Sequence, residues 1–308
     1  MDLITLDFET YYDRDYSLSK LTTEAYVRDP RFEVIGVAVK VNNGETEWAS
    51  GTHEQLKRYL NGFDWHEAMV LCHNTMFDGA ILNWHFNIRP RMYTDTLCIA
   101  RALHGTEARA SLAALSERYN LGVKGTEVVR ALGKRRGDFG PVDLAEYGDY
   151  CINDVDLTYK LFSRMARQFP PRELRLIDAT LRMFTEPTLD LDRELLQSHL
   201  QDVKDRKTQL LFDAGVKDKK DLMSNPKFAE LLKKFGVKPP MKTSLTTGKE
   251  TFAFAKSDEE FKQLLEHEDD RVQSLVAARL GSKSTLEETR TQRFIDISDR
   301  GLLPVPVR

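Results

Sequence analysis

Leu3-Ile4-Thr5-Leu6-Asp7-Phe8 and Phe32-Glu33-Val34-Ile35-Gly36-Val37-Ala38-Val39-Lys40-Val41 decide the fold class. Both stretches are rich in β-branched residues and alternate in polarity, the period-two signal of strands. Glu45 to Ala49, after the Asn42-Asn43-Gly44 turn, reads as a third strand, so the first 50 residues predict an antiparallel meander. Thr52 to Asn61 predicts a helix opened by a threonine cap. Met69 to Cys72 follows as a short buried strand and Asp78 to Phe86 as a helix, with further helices around Ser111–Tyr119 and Val142–Arg167. Three antiparallel strands followed by alternating helix and strand make an α/β fold, a mixed sheet with helices on its faces.

Pro170-Pro171 marks a change of pattern, because a double proline cannot continue a helix. Beyond it Arg172–Glu186, Arg193–Ala214, Asn225–Phe235, Asp258–His267 and Arg271–Arg279 read as helices, separated by connections such as the Lys/Gly/Pro/Thr-rich Gly236–Thr251. Leu195, Leu196, His199, Leu200 and Val203 form an ordinary helix stripe. The expected division is an α/β domain at 1–168 and a mainly helical domain at 169–308.

Composition excludes several classes. With 308 residues, 41% hydrophobic and 30% charged, the chain can bury two cores and is neither collagen-like, disordered nor a disulfide scaffold. The longest apolar run, Val34 to Val39, is too short to cross a membrane, and the first residues carry no basic leader. Cys72, Cys98 and Cys151 have no paired spacing, which suits a reducing cytoplasm and argues against a thiolate zinc site. The net charge of −3 is uneven: residues 1–190 hold 23 Lys/Arg against 28 Asp/Glu, and the remainder 22 against 20. Local basic stripes are common in nucleic-acid binders, although solvated lysine-rich helices give the same count.

The informative residues are scattered acids. Asp7-Phe8-Glu9 ends the first strand, where side chains at i and i+2 share a face. The same spacing at Asp192/Glu194 and Asp258/Glu260 lies in charged helical context, where an acid needs no explanation. Acids after a hydrophobic strand are costly unless paired or metal-bound, or unless the strand simply reaches solvent there. Asp78 follows Asn74-Thr75-Met76-Phe77 near a helix start, where capping alone would account for it. Tyr150 and Asp154 share one face of a helix.

In this order, strand Asp-x-Glu, Asn-x-x-Phe-Asp and helical Tyr-x-x-x-Asp resemble the three motifs of the DEDD exonucleases. The tyrosine subgroup is the nearer resemblance, since Asp149 stands where a histidine subgroup needs His. The resemblance implies a ribonuclease H-like mixed sheet and 3′-5′ hydrolysis of terminal phosphodiesters. It implies two Mg²⁺ ions, with Mn²⁺ substituting, held by oxygen ligands. Asp7 would bridge both ions, Glu9 and Asp154 would complete the water-activating position, Asp78 would support the second ion, and the Tyr150 hydroxyl would orient the attacking water. Thr10, Asn74 and Phe77 would touch the terminal nucleotides.

The second half resembles the linker and thumb of family A DNA polymerases. Arg172 to Glu194, Asn225-Pro226-Lys227-Phe228 with its continuation to Pro240, and Gly281 to Arg290 carry that likeness. The resemblance implies duplex contacts through Lys283, Ser284, Thr285 and Arg290, and as partners single-stranded 3′ DNA ends and a primer–template. No palm or fingers motif occurs, so the chain is expected to be the N-terminal part of a larger, phage-like polymerase whose palm and fingers would be further partners. It is expected in the cytoplasm, that of the host if phage-encoded. Two other readings share its motifs: a free-standing exoribonuclease of the same fold, and a non-catalytic DNA-binding clamp.

Overall fold

A computed structural model describes residues 1–125, 131–216, 218–283 and 285–306. The chain forms two compact units, Met1–Leu189 joined by the residues from Leu302 onward, and Asp190–Gly301.

The first unit is built on a five-stranded mixed sheet in the order β3-β2-β1-β4-β5. The strands are β1 (Asp2–Thr10), β2 (Val34–Val41), β3 (Thr46–Ala49), β4 (Ala68–Cys72) and β5 (Met92–Asp95). β1 runs antiparallel to β2 and parallel to β4, and β4 runs parallel to β5. Its helices are α1 (Thr23–Val27), α2 (His53–Leu60), α3 (Thr75–Phe86), α4 (Thr96–His104), α5 (Leu112–Tyr119), α6 (Pro141–Met165) and α7 (Pro171–Thr185). Thr52 closes a capping box on α2, as its sequence predicts.

Alternation along β1 assigns its two faces. Phe8 stacks on Phe86 of α3, with ring centres 5.8 Å apart. Glu9 and Asp7 point the other way, to Tyr147 and Cys151 of α6. That helix lies against β1, β2 and β3. A tryptophan sets its height: a Cβ at Gly36 on β2 would sit 2.3 Å from the Trp48 ring, and one at Gly148 on α6 would sit 2.6 Å from it. Gly36 pairs with Glu9 in the sheet, so the close approach falls beside the acid.

Pro170-Pro171, where the sequence pattern changes, lies inside the first compact unit, which runs on to Leu189. Pro171 opens α7, where its missing N–H would be unpaired in any case. α7 then covers the edge strand: the Tyr93 N–H donates to Asp178 at 2.7 Å, and Arg182 holds Asp178 and donates to the carbonyls of Pro90 and Arg91. An unpaired strand edge needs such cover, so the first unit continues to Leu189.

The second unit is mainly helical, with α8 (Arg193–Asp213), α9 (Lys219–Met223), α10 (Asn225–Lys234), α11 (Glu259–Gln263), α12 (Asp270–Lys283) and α13 (Leu286–Ser298). α12 and α13 pack on α8. Its core gathers Leu222, Phe228, Leu232, Phe254, Phe261, Val272, Leu275 and Val276. Overlapping the connection read from Gly236 to Thr251 is a hairpin, β6 (Met241–Thr243) with β7 (Glu250–Phe252). Its first strand is exposed throughout and so lacks the alternation that betrays a strand. Among the described residues no helix is long and apolar enough to cross a membrane.

Gly36→Ala should lower the stability of the first unit by about 1–3 kcal/mol, the usual cost of overpacking. The added methyl meets the Trp48 ring and, at 2.8 Å, the Ala49 carbonyl. A urea midpoint equal to that of the parent would show that Trp48 does not set the spacing.

Candidate active site

The site forms where β1 outruns its parallel neighbour. Pairing with β4 covers only Asp2 to Thr5, so β1 beyond Thr5 has a free edge on that side. Asp78 fills it: its Oδ1 accepts the Phe8 N–H at 3.0 Å. Asp78 lies in the first turn of α3, near the helix start as its sequence suggests, but it is not the N-cap. α3 begins three residues earlier than its sequence predicts, its N-cap is Asn74, and the Asp78 carboxylate serves the strand edge.

Asn74 has φ 76° and ψ 53°, a left-handed conformation that asparagine tolerates better than most residues. Its N–H donates to Asp95 Oδ1 at 2.9 Å, and the same carboxylate caps α4 through Leu97. Thr75 ties this corner together, its hydroxyl donating to the Thr94 carbonyl at 2.6 Å and accepting the Cys72 N–H. The chain thus leaves β4 and enters α3 at a fixed angle that delivers Asp78 to β1.

α6 supplies the opposite wall. Tyr147, Tyr150, Cys151 and Asp154 follow i, i+3, i+4 and i+7 spacing and are all buried, whereas Asp149 is exposed. The Tyr147 hydroxyl donates to Glu9 Oε2. The Cys151 thiol donates to the Asp7 carbonyl at 3.3 Å and to its carboxylate at 3.6 Å. Donor atoms of Asp7, Glu9 and Cys151 lie mutually within 4.8 Å, with Asp78 and Asp154 outside that group. Asp154 is ion-paired with Lys124.

Electrostatics explain why these acids need a cation. Burial, then the charge of Asp154, pushes the Asp7 carboxyl up to about 7, against opposition from Lys124 and the Cys151 thiol. Burial and the charge of Asp7 push Glu9 well above the carboxylate range, opposed by the Tyr147 hydroxyl. Burial and Asp7 push Asp78 up in the same way, opposed by the Phe8 N–H. Acids this close cannot all ionise unless positive charge enters. Buried hard oxygen donors suit a divalent ion such as Mg²⁺. Cys151 is no ligand for such an ion, since burial and Asp7 hold its thiol protonated. Tyr150 is likewise raised, by burial first and then by Asp154, so its hydroxyl keeps its proton.

The residues read as nucleotide contacts fall around one tyrosine. The Thr10 hydroxyl bonds to the Tyr26 hydroxyl at 2.8 Å, and the Phe77 ring centre lies 6.0 Å from that of Tyr26. Tyr26 in turn donates to the Tyr11 carbonyl at 2.5 Å. Thr10 is buried and directed inward, while Phe77 and Asn74 keep partial exposure. In the second unit Thr285 and Arg290 are exposed, while Ser284 and the Lys283 side chain lie outside the described residues. Glu287, one turn from Arg290, approaches His199 at 3.3 Å instead.

Sequence reasoning missed Tyr147, Cys151, Lys124 and Asp95. Tyr147 extends the Tyr150/Asp154 stripe back one turn and Cys151 lies within it, and that helical spacing was the available signal. Lys124 sits in irregular backbone and Asp95 in a four-residue strand, where no periodicity marks them.

A mixed sheet carrying a half-buried and a buried acid on its central strand, with a helix-borne tyrosine beside them, fits a ribonuclease H-like nuclease. Residues 3–170 match the 3′-5′ exonuclease family of A-type DNA polymerases, and the chain belongs to that family. Among solved structures, NrnC of Brucella melitensis is similar at 13% identity and a TM-score of 0.43, over 59% of this chain and 80% of that one. The POL domain of Pol1 from M. smegmatis is similar at 16% identity and a TM-score of 0.45, over 97% of this chain and 46% of that one. No curated protein matches.

The raised acids make a pH prediction. Asp7, ionised above about 4 when unfolded but only near 7 when folded, favours folding fully at low pH and loses that contribution as pH rises through 7. The slope for one such proton is about 1.4 kcal/mol per pH unit. In EDTA the melting temperature should therefore fall between pH 4.5 and 7.5, and Mg²⁺ should remove most of the fall. A flat profile in EDTA would contradict the repulsion described.

Proposed function

We propose that the chain removes nucleotides from the 3′ ends of single-stranded DNA with two divalent cations, as the proofreading part of a family A DNA polymerase. The observation that carries this reading is the pair Asp7 and Glu9 on one face of β1, with Asp78 bonded to the same strand and Asp154 of α6 near enough for its charge to act on Asp7. Asp7, Glu9, Asp78 and Asp154 would hold Mg²⁺, or Mn²⁺ in its place. Such ions supply an ionised water at neutral pH and offset charge on the leaving oxygen.

The chain's own groups do the rest. Tyr147 fixes the Glu9 carboxylate and favours its ionised form. The Phe8 N–H does the same for Asp78. The Tyr150 hydroxyl, protonated and beside Asp154, can direct a water lone pair without competing for metal. Phe77, backed by Tyr26 and Thr10, offers a ring against which a terminal base can pack.

The second unit is read as a thumb that grips duplex DNA through phosphates, with Lys283, Ser284, Thr285 and Arg290 as contacts. Its surplus of basic residues and the exposure of Arg290 support this. Palm and fingers of the same polymerase would be its partners in the cytoplasm.

Replacing Asp7 and Glu9 together by Ala should reduce Mg²⁺-dependent digestion of single-stranded DNA by orders of magnitude. Tyr150→Phe should slow turnover about 10-fold or more with metal affinity unchanged. Digestion that persists in chelator, or faster digestion of matched RNA than of DNA, would overturn the reading.

Arg290→Ala should weaken duplex binding equally for all sequences and flatten the slope of log K against log salt by about 0.9. Affinities at three salt concentrations decide it, and an unchanged slope would mark Arg290 as surface charge only.

A further inference from the structure

Lys124 has no task in the reaction as proposed, yet it stands inside the acidic pocket. Its ammonium is ion-paired with Asp154 and lies 5.2 Å from the centre of the Tyr150 ring. Its charge also acts on Asp7 and Glu9, easing the ionisation of both. Asp154 keeps 5% of its side chain exposed, whereas Lys124 keeps 29%. The lysine therefore reaches in from the solvent side on a flexible stem and can withdraw without losing a buried position.

Its backbone has the same character. Residues 121–125 have no regular structure, and the segment is pinned to α6 by the Asn153 side chain donating to the Val123 carbonyl at 3.1 Å. That bond is independent of the ammonium, so the segment stays on α6 when Lys124 lets go.

We propose that Lys124 is the resting counter-ion of the metal site. It occupies the Asp154 side of the pocket in the metal-free enzyme and yields that carboxylate when a divalent cation binds, so that it sets the metal affinity. This rests on the reading that Asp7, Glu9 and Asp154 hold the metal. A single ammonium offsets only part of the charge of several buried acids, and the cation that replaces it offsets more. The lysine and the metal therefore compete for Asp154, and their binding is negatively coupled. The pocket avoids open repulsion when empty, at the expense of weaker metal binding.

The test uses the full chain with Lys124→Met and Lys124→Arg, read by Mg²⁺ calorimetry and by melting in EDTA and in saturating Mg²⁺. Lys124→Met should bind Mg²⁺ about tenfold more tightly, a difference of about 1.4 kcal/mol. It should melt lower than the parent in EDTA and level with it in Mg²⁺. Lys124→Arg, which keeps the charge, should stay near the parent. Unchanged or weaker Mg²⁺ binding by Lys124→Met would overturn the proposal, as would an equal drop in melting temperature with and without Mg²⁺, which marks a purely structural ion pair. Asp7→Asn separates the two levels: if it binds Mg²⁺ as the parent does, the carboxylate reading fails and this inference with it.

Discussion

Asp7 and Glu9 project from one face of β1 beneath α6, where burial and the charge of a neighbouring acid, Asp154 for Asp7 and Asp7 for Glu9, make both harder to ionise. A central strand carries apolar residues on its packed face, as Ile4, Leu6 and Phe8 do on the side that bears the Phe8–Phe86 stack. Two acids at its end are a standing cost, which the molecule lowers with donors of its own: the Tyr147 hydroxyl, the Cys151 thiol, the Phe8 N–H and the Lys124 ammonium. Each lowers the pKa of an acid it meets, and burial still outweighs them at Asp7, Glu9 and Asp78. What remains is a pocket whose charge only a cation can balance.

Much of the architecture serves that geometry. The early end of β4 exposes the β1 edge that Asp78 completes. The left-handed Asn74, locked by Asp95, aims α3 so that Asp78 arrives there. Gly36 and Gly148 let β2 and α6 both come close to the Trp48 ring, beside the turn of α6 from which Tyr147 reaches Glu9. These contacts are distant in sequence and depend on one strand register, so a slip of β1 by one residue would turn both acids to the other face.

The acids stood out in the sequence because the chemistry proposed for them restricts which residue types can serve. Asp7, Glu9, Asp78, Tyr150 and Asp154 stood out as types in an order, and the sheet around them showed in its alternation. Supporting residues were not legible for definite reasons. Asp95 belongs to a strand of four residues, too short for a period. Tyr147 looks like any helix-core aromatic until Glu9 is seen beside it. α7 was separated from the first unit because a double proline signals a break, whereas the Asp178–Tyr93 bond that docks it spans the sequence. In the second unit the exposed β6 hid the hairpin, and α13 buries only Thr291, Ile295 and Ile297, a face too narrow to announce a helix.

The account stands on the claim that the carboxylates on β1 form a divalent-cation site. Anomalous diffraction from crystals soaked in Mn²⁺ tests it most directly. The predicted result is a peak within coordinating distance of the Asp7 carboxylate, shared with Glu9 or Asp154. Saturating Mn²⁺ with no peak at Asp7 would contradict the account.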